Sequence, residues 1–308
     1  MCPAKDSSPK ERLAIVPDIT LDTVRLLIEN QFPAWQHLPI TPVEPGGHDN
    51  RTFRLGQDMA IRLPSHASYA AAVMKERAWL PVFARGVSLR VPIPIARGEP
   101  SDAYPLPWAI NRWIEGEILT SGNIGSMNEL ALDLAAFLRE LQAVAISGGV
   151  LAGEHNFHRG GDLGVYDEET NTAIGECGLP LAKEKMRGIW HMAKSARYEG
   201  APLWVHGDVA VGNLIVKNGK LYGVIDFGSC GVGDPACDLV MAWNFFDGES
   251  RQVFLRETGA DVGMVARAKG WALWKALITL QDSAATSEQK AWGERTLTIL
   301  LDDGLSPS

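Results

Sequence analysis

Residues 203–239 read LWVHGDVAVGNLIVKNGKLYGVIDFGSCGVGDPACDL, and they set three oxygen-bearing side chains around one hairpin. His206-Gly207-Asp208 falls in a loop after a short strand, and Asn213 follows five positions later. Leu214-Ile215-Val216 is apolar and β-prone, Lys217-Asn218-Gly219-Lys220 centres a tight turn on Asn-Gly, and residues 221–225 form the returning strand. Asp226-Phe227-Gly228 ends that strand, so the hairpin brings Asp226 back toward Asp208 and Asn213. Either aspartate alone reads as an ordinary loop carboxylate; their joint spacing argues for a shared task.

The layout resembles the catalytic segment of protein kinases, H-R-D-x-x-x-x-N followed by D-F-G. Gly207 stands in place of the middle Arg, which points toward kinases of small molecules. Phosphoryl transfer from a nucleotide needs a carboxylate that orients the acceptor hydroxyl and takes its proton. It also needs oxygen ligands for Mg²⁺, which bridges the phosphates. Asp208 suits the first role, and Asn213 and Asp226 suit the second.

A chain of 308 residues has room for a large core in one domain or two lobes. Cys2, Cys177, Cys230 and Cys237 form no C-x-x-C pair, so neither a disulfide framework nor a zinc knuckle is expected. With no apolar run of membrane-spanning length and no signal-type segment at the N-terminus, a reducing cytoplasm is the expected home. Net charge is uneven: residues 1–115 sum to +1 and the remainder to −9. That acidity argues against nucleic acid as a partner and favours a cationic small molecule, or serves solubility alone.

Residues 18–30 read as an amphipathic helix capped by Asp18 or Thr20. Residues 41–64 read as three short antiparallel strands, with Gly46-Gly47 in a turn whose backbone N–H groups can approach nucleotide phosphates. In the third strand, alternation buries Ile61 and Leu63 and turns Arg62 to the opposite face, where its fork matches phosphate oxygens. A helix over 68–84 places Glu76 where a partner for Arg62 belongs. Strands over 91–97 and 107–113 complete a five-stranded antiparallel sheet. The second of them, with Asn111 and Trp113, offers a hinge edge to a nucleotide base. Composition turns helical after Ile114, dividing the chain into a β-rich lobe, 1–114, and a helical lobe, 115–308. In the latter, helices are expected over 127–145, 176–199, 235–246, 250–257, 262–282 and 287–301. His155 and His158, three apart, lack an evident third metal ligand and read as a surface connection.

Together these residues resemble the aminoglycoside phosphotransferase family, within the group that includes choline and macrolide kinases. The match is tightest at His206-Gly207-Asp208 with Asn213, Asp226-Phe227-Gly228, and Gly233-Asp234-Pro235 with Asp238-Leu239. It extends more loosely over residues 42–281, through Gly46-Gly47, Ile61-Arg62-Leu63-Pro64, Glu76 and the Trp113-Ile114-Glu115-Gly116-Glu117 boundary. The resemblance implies a two-lobed, protein-kinase-like α+β fold with a nucleotide between the lobes. It implies Mg²⁺-dependent transfer of the γ-phosphoryl group of ATP or GTP to a hydroxyl, with Asp208 as base and Asn213 and Asp226 as metal ligands. Arg62 stands where many relatives carry Lys.

For a polycationic acceptor such as an aminoglycoside, the candidate acids are Asp247, Glu249, Glu257 and Asp261. A choline-like acceptor would instead use aromatic faces, and Trp243, Phe246, Trp271 and Trp274 supply these unless they are core. A macrolide would need a broad apolar cleft.

Overall fold

The structure, a computed structural model, describes residues 18–44, 49–176 and 180–303; Gly46 and Gly47 lie outside the described residues. Two units are distinguished, Met1–Pro81 with Pro92–Ile114, and Val82–Val91 with Glu115–Ser308.

In the first unit, helix α1 (Leu21–Gln31) starts at Thr20, whose Oγ1 accepts the Thr23 N–H, and it buries Val24, Leu27 and Ile28. Strands β1 (Ile40–Pro42), β2 (Asn50–Leu55), β3 (Met59–Pro64), β4 (Pro94–Gly98) and β5 (Trp108–Arg112) form an antiparallel sheet in the order β1-β2-β3-β5-β4. One face packs on α1: Phe53, Leu55, Ile61, Leu63, Trp108 and Ile110 are buried there with Tyr104. The period-2 pattern that buries Ile61 and Leu63 turns Arg62 to the other face.

Helix α2 (Ala70–Gly86) carries Pro81 inside it, where the missing N–H removes one rung of the helical ladder. The first unit stops there, and Val82–Val91 belongs to the second. A single cut after Ile114 therefore misses this segment. Its attachments explain why: Phe83 packs on Trp204 and Phe227, Ser88 donates to Glu140, and Arg90 exchanges backbone bonds with Tyr222 and Val224.

In the second unit, α3 (Met127–Gln142) is capped by Ser126 and buries Leu130, Leu134, Phe137, Leu138 and Leu141, the stripe its 3.6-residue period dictates. The stretch expected as one helix over 176–199 is α5 (Pro180–Ser195), preceded by a separate α4 (Asp167–Glu176). Strand β7 (Leu203–Val205) pairs with β10 (Gly231–Gly233), while β6 (Glu117–Ile118), β8 (Leu214–Lys217) and β9 (Lys220–Val224) make a three-stranded sheet. The β8–β9 turn has Asn218 at φ 55° and Gly219 at φ 75°, the paired positive values that a two-residue hairpin turn demands. After it, residues 235–239 form a 3₁₀ turn leading to α6 (Met241–Asn244), where one helix was expected. The remaining helices are α7 (Gly248–Glu257), α8 (Val262–Gln281) and α9 (Ser287–Asp302). Among the described residues no helix is long and apolar enough to cross a membrane.

Candidate active site

The loop that presents Asp208 is fastened from beneath. Asp238, fully buried, accepts the backbone N–H of His206 and of Gly207, one on each carboxylate oxygen and both at 2.8 Å. Burial pushes the Asp238 carboxyl above its ordinary value, and the two amide donors oppose that. His206 is equally buried: its Nδ1 accepts the Asp208 N–H at 3.2 Å and its Nε2 meets the Ile225 carbonyl at 3.0 Å, which sets the ring proton on Nε2. The ring also packs edge-on against Phe227. Gly207 has φ +82°, and a Cβ there would come within 2.2 Å of the Ser229 carbonyl oxygen. The Arg of the protein-kinase segment has no room at this position.

On this base the carboxylate of Asp208 stands partly open, its side chain 37% exposed. Asn213 Nδ2 donates to Asp208 Oδ2 at 3.1 Å and to its carbonyl at 2.9 Å. The Asn213 carbonyl in turn accepts the Ile225 N–H, which ties the loop to the residue before Asp226. Asp226 sits in the left-handed region at φ 65°, a conformation that costs a non-glycine residue energy and clusters at functional sites.

Lys275 of α8 was not foreseen. Its Nζ lies 2.7 Å from Asp208 Oδ1. Desolvation alone would raise the Asp208 carboxyl, but the Lys275 ammonium, with help from Arg159, outweighs it and holds the group down at about 2. The available signal was a solitary cation inside the apolar run Trp271-Ala272-Leu273-Trp274-Lys275-Ala276-Leu277. Arg267, also on α8, makes a two-pronged, buried ion pair with Asp234, at 2.7 and 3.2 Å. Asp234 accepts the Ala236 N–H as well, the capping role its sequence position suggests.

Asn213 and Asp226 offer the donor chemistry of a Mg²⁺ site. With Nδ2 spent on Asp208, the Asn213 side chain has an amide oxygen to give, and Asp226 has a carboxylate. Mg²⁺ prefers oxygen ligands and takes one or two side chains, completing its shell with phosphate and water. Among the described residues no group of three or more His, Cys, Asp or Glu could hold a metal, His155 and His158 included; His155 Nε2 meets the Leu151 carbonyl instead.

In the first unit, Arg62 Nη1 lies 2.9 and 3.1 Å from the two Glu76 oxygens, both side chains largely buried. The expected open edge at residues 110–113 is absent. Strand β5 is paired on both sides, and the N–H groups of Arg112 and Trp113 are taken by the carbonyls of Ile93 and Asp58. Asn111 is buried with neither amide atom bonded, facing a water-sized space with Glu76, Arg77 and Arg97. Trp113 lies under the Arg54 guanidinium, 4.8 Å from the ring centre.

The four candidate acceptor acids have other partners or positions. Asp247 is 70% exposed at the start of α7 with Arg295 at 3.8 Å; Glu249 is exposed in the first turn of that helix; Glu257 pairs with Arg256. Asp261 caps α8, and the thirteen-residue advance from Val262 to Lys275 sets it about 20 Å along the axis from the Asp208 contact. Trp243, Phe246, Trp271 and Trp274 are core residues, at most 4% exposed.

The sequence profile of the phosphotransferase enzyme family matches residues 40–277. The chain belongs to this family. An aminoglycoside 3′-phosphotransferase of Escherichia coli is 27% identical over 159 residues, 47% of this chain and 53% of that protein. The chain thus spans about half the length of the curated relatives it matches. Among solved structures, the GDP complex of an aminoglycoside 2′-phosphotransferase-IIIa aligns with a TM-score of 0.70 at 21% identity, covering 91% of this phosphotransferase-family chain and 98% of the other. A macrolide 2′-phosphotransferase type I aligns at 0.61 and 18%, covering 92% and 98%. The fold is therefore the protein-kinase-like α+β fold of these phosphotransferases.

Proposed function

We propose that the protein is a small-molecule kinase that transfers the γ-phosphoryl group of ATP or GTP, with Mg²⁺, to a hydroxyl of its acceptor. The observation that carries this reading is the Asp208 carboxylate, held by Asn213 on one oxygen, partly open to solvent, and one hairpin away from Asp226. The oxygen donors of Asn213 and Asp226 would hold Mg²⁺, which would neutralise charge on the phosphates.

Asp208 accepts the hydrogen bond of the acceptor hydroxyl and aims its oxygen at the γ phosphorus. As the new O–P bond forms, the bond from phosphorus to the bridging oxygen breaks and leaves the nucleoside diphosphate. The hydroxyl proton passes to Asp208 and then to water. A carboxylate held at about 2 is a weak base. Its proton uptake follows the acidification of the hydroxyl by O–P bonding, so its first contribution is orientation. For the nucleotide, the reading assigns the phosphates to Gly46, Gly47 and the Arg62–Glu76 pair.

The names of the Escherichia coli relatives and of the structural neighbours favour an antibiotic acceptor, aminoglycoside first and macrolide second, with resistance as the role. The test is a screen of purified protein with Mg²⁺ and either nucleotide against aminoglycosides, macrolides, choline, amino alcohols and simple sugars, read by mass gain of one phosphoryl group. Nucleotide that is neither bound nor hydrolysed under any condition would sink the reading.

A further inference from the structure

The residue before Asp208 and the residue before Lys275 meet a common neighbour. A Cβ on Gly207 would lie 3.1 Å from Arg159 Cβ, and the Arg159 guanidinium lies over Trp274, 4.3 Å from its ring centre, and within 5.6 Å of Trp271. Arg159 is thus bracketed by Gly207 and Trp274, whose next residues, Asp208 and Lys275, touch each other at 2.7 Å. Its charge is close enough to lower the Asp208 carboxyl.

The loop presenting Arg159 is built for the purpose. Asn156, fully buried, accepts the Gly153 N–H at 3.0 Å and donates to the Arg159 carbonyl at 2.8 Å. Phe157 and His158, just before Arg159, both adopt left-handed backbone, at φ 53° and 51°. That strain is held by the fold rather than relaxed. Just after it, the Gly160 carbonyl accepts the Asp234 N–H.

Despite this placement, the Arg159 side chain has no ion pair and no hydrogen bond among the described residues, and its Nε is buried. A buried guanidinium donor without an acceptor is costly, and its planar fork matches a carboxylate or a phosphate. The aromatic face that a quaternary ammonium would seek on Trp274 is already taken by Arg159 and by Tyr166, whose ring centre lies 4.2 Å away. Glu169, an acid that reaches this cluster, is engaged by Trp274 Nε1 at 2.6 Å.

We infer that the acceptor carries an anionic group, a carboxylate or a phosphate, which Arg159 receives together with Lys275 while the acceptor hydroxyl goes to Asp208. The inference rests on the phosphotransferase reading but gives it an anionic acceptor in place of the aminoglycoside. Lys275 pairs with Asp208 while no acceptor is present and divides its donors between the two anions when one arrives. A polycation would bring like charge to both side chains.

The test compares matched acceptors: D-gluconate and D-glucose 6-phosphate against neutral D-glucose, with kanamycin as the polycation. Binding is read by calorimetry and transfer by kcat/KM. The wild type should favour at least one anion over glucose by tenfold or more, and which anion wins separates carboxylate from phosphate. Arg159→Gln should reduce that ratio to within about threefold through KM, and Arg159→Lys should give an intermediate ratio. Glu169→Gln should leave it unchanged. A wild type that binds and uses glucose or kanamycin as well as either anion overturns the inference. So does an Arg159→Gln enzyme that loses kcat equally on every acceptor with its preference intact, since Arg159 would then serve the transferred phosphoryl group. Bound and hydrolysed nucleotide with no preference for an anion defeats this inference alone; no nucleotide binding or hydrolysis defeats the phosphotransferase reading beneath it.

Discussion

Two aspartates of the 203–239 stretch reach cations on the same helix and meet opposite surroundings. Asp234 and Arg267 are 8% and 9% exposed and lock two oxygens onto two nitrogens. Asp208 and Lys275, eight residues further along α8 and so about 12 Å up its axis, are 37% and 30% exposed and share one contact at 2.7 Å. The first pair cannot exchange partners without leaving a charge dry, so it fastens the loop. The second can, because water and an incoming substrate both reach it. Burial, rather than residue type, separates a fastener from a working group.

The sharpest way to test that contrast is to remove one partner from each pair. Asp208→Ala should lower kcat by about 10²- to 10⁴-fold while shifting stability by less than about 1 kcal/mol, because the ammonium left behind is partly solvated. Arg267→Ala should do the reverse, costing about 3–5 kcal/mol in a denaturant titration by stranding the buried Asp234 charge. Equal stability losses in the two variants would erase the distinction. Asp238→Asn sits between them. Its amide sets a donor against one of the two backbone N–H groups it should accept, at a cost of about 1–3 kcal/mol, and kcat should fall with the loosened loop.

The smallest effect on stability and the most telling on pH belongs to Lys275→Ala. In the native protein the Asp208 carboxyl is held below its ordinary 3.8, at about 2. The stabilisation from the pair is full above 3.8 and is lost as pH falls through about 2. Without Lys275, desolvation, already the largest single influence, is opposed only by Arg159 and His206, and the carboxyl rises. The acid limb of kcat/KM should therefore move to higher pH, with a stability change below about 1 kcal/mol. An acid limb that stays in place would show that Lys275 does not govern this group.

Much of this arrangement was legible in the sequence because it is local. Asn218-Gly219 announces the hairpin, period-2 alternation sets Arg62 opposite Ile61 and Leu63, and the stripe of α3 announces a buried helix. Asp208, Asn213 and Asp226 lie within one hairpin, so spacing alone relates them. The cations were hidden for the complementary reason. Lys275 meets Asp208 across 67 positions and Arg267 meets Asp234 across 33, and no short-range pattern encodes such a meeting. The formal charge of the C-terminal part does not describe the surroundings of Asp208. Its surplus acids include Asp247 and Glu249 at the surface and Asp261 at a helix start, whereas the groups facing Asp208 are Lys275 and Arg159. The expected hinge edge failed on topology: pairing order decides which strand is outermost, and β5 is not.

Cys230 and Cys237 are buried beside this loop, and Cys237 Sγ lies 3.6 Å from the Asp234 carbonyl oxygen and 3.8 Å from Asp238 Oδ1. Burial, then the charges of Asp238 and Asp234, push the Cys237 thiol well above its ordinary value. Thiolate is the form that alkylating reagents attack. In a chain with Cys2, Cys177 and Cys230 changed to Ser, iodoacetamide would thus consume Cys237 only during excursions that lift the turn off His206 and Gly207. The labelling rate would become a clock for the opening of the catalytic loop, running slower in the presence of any ligand that holds Asp208 in place.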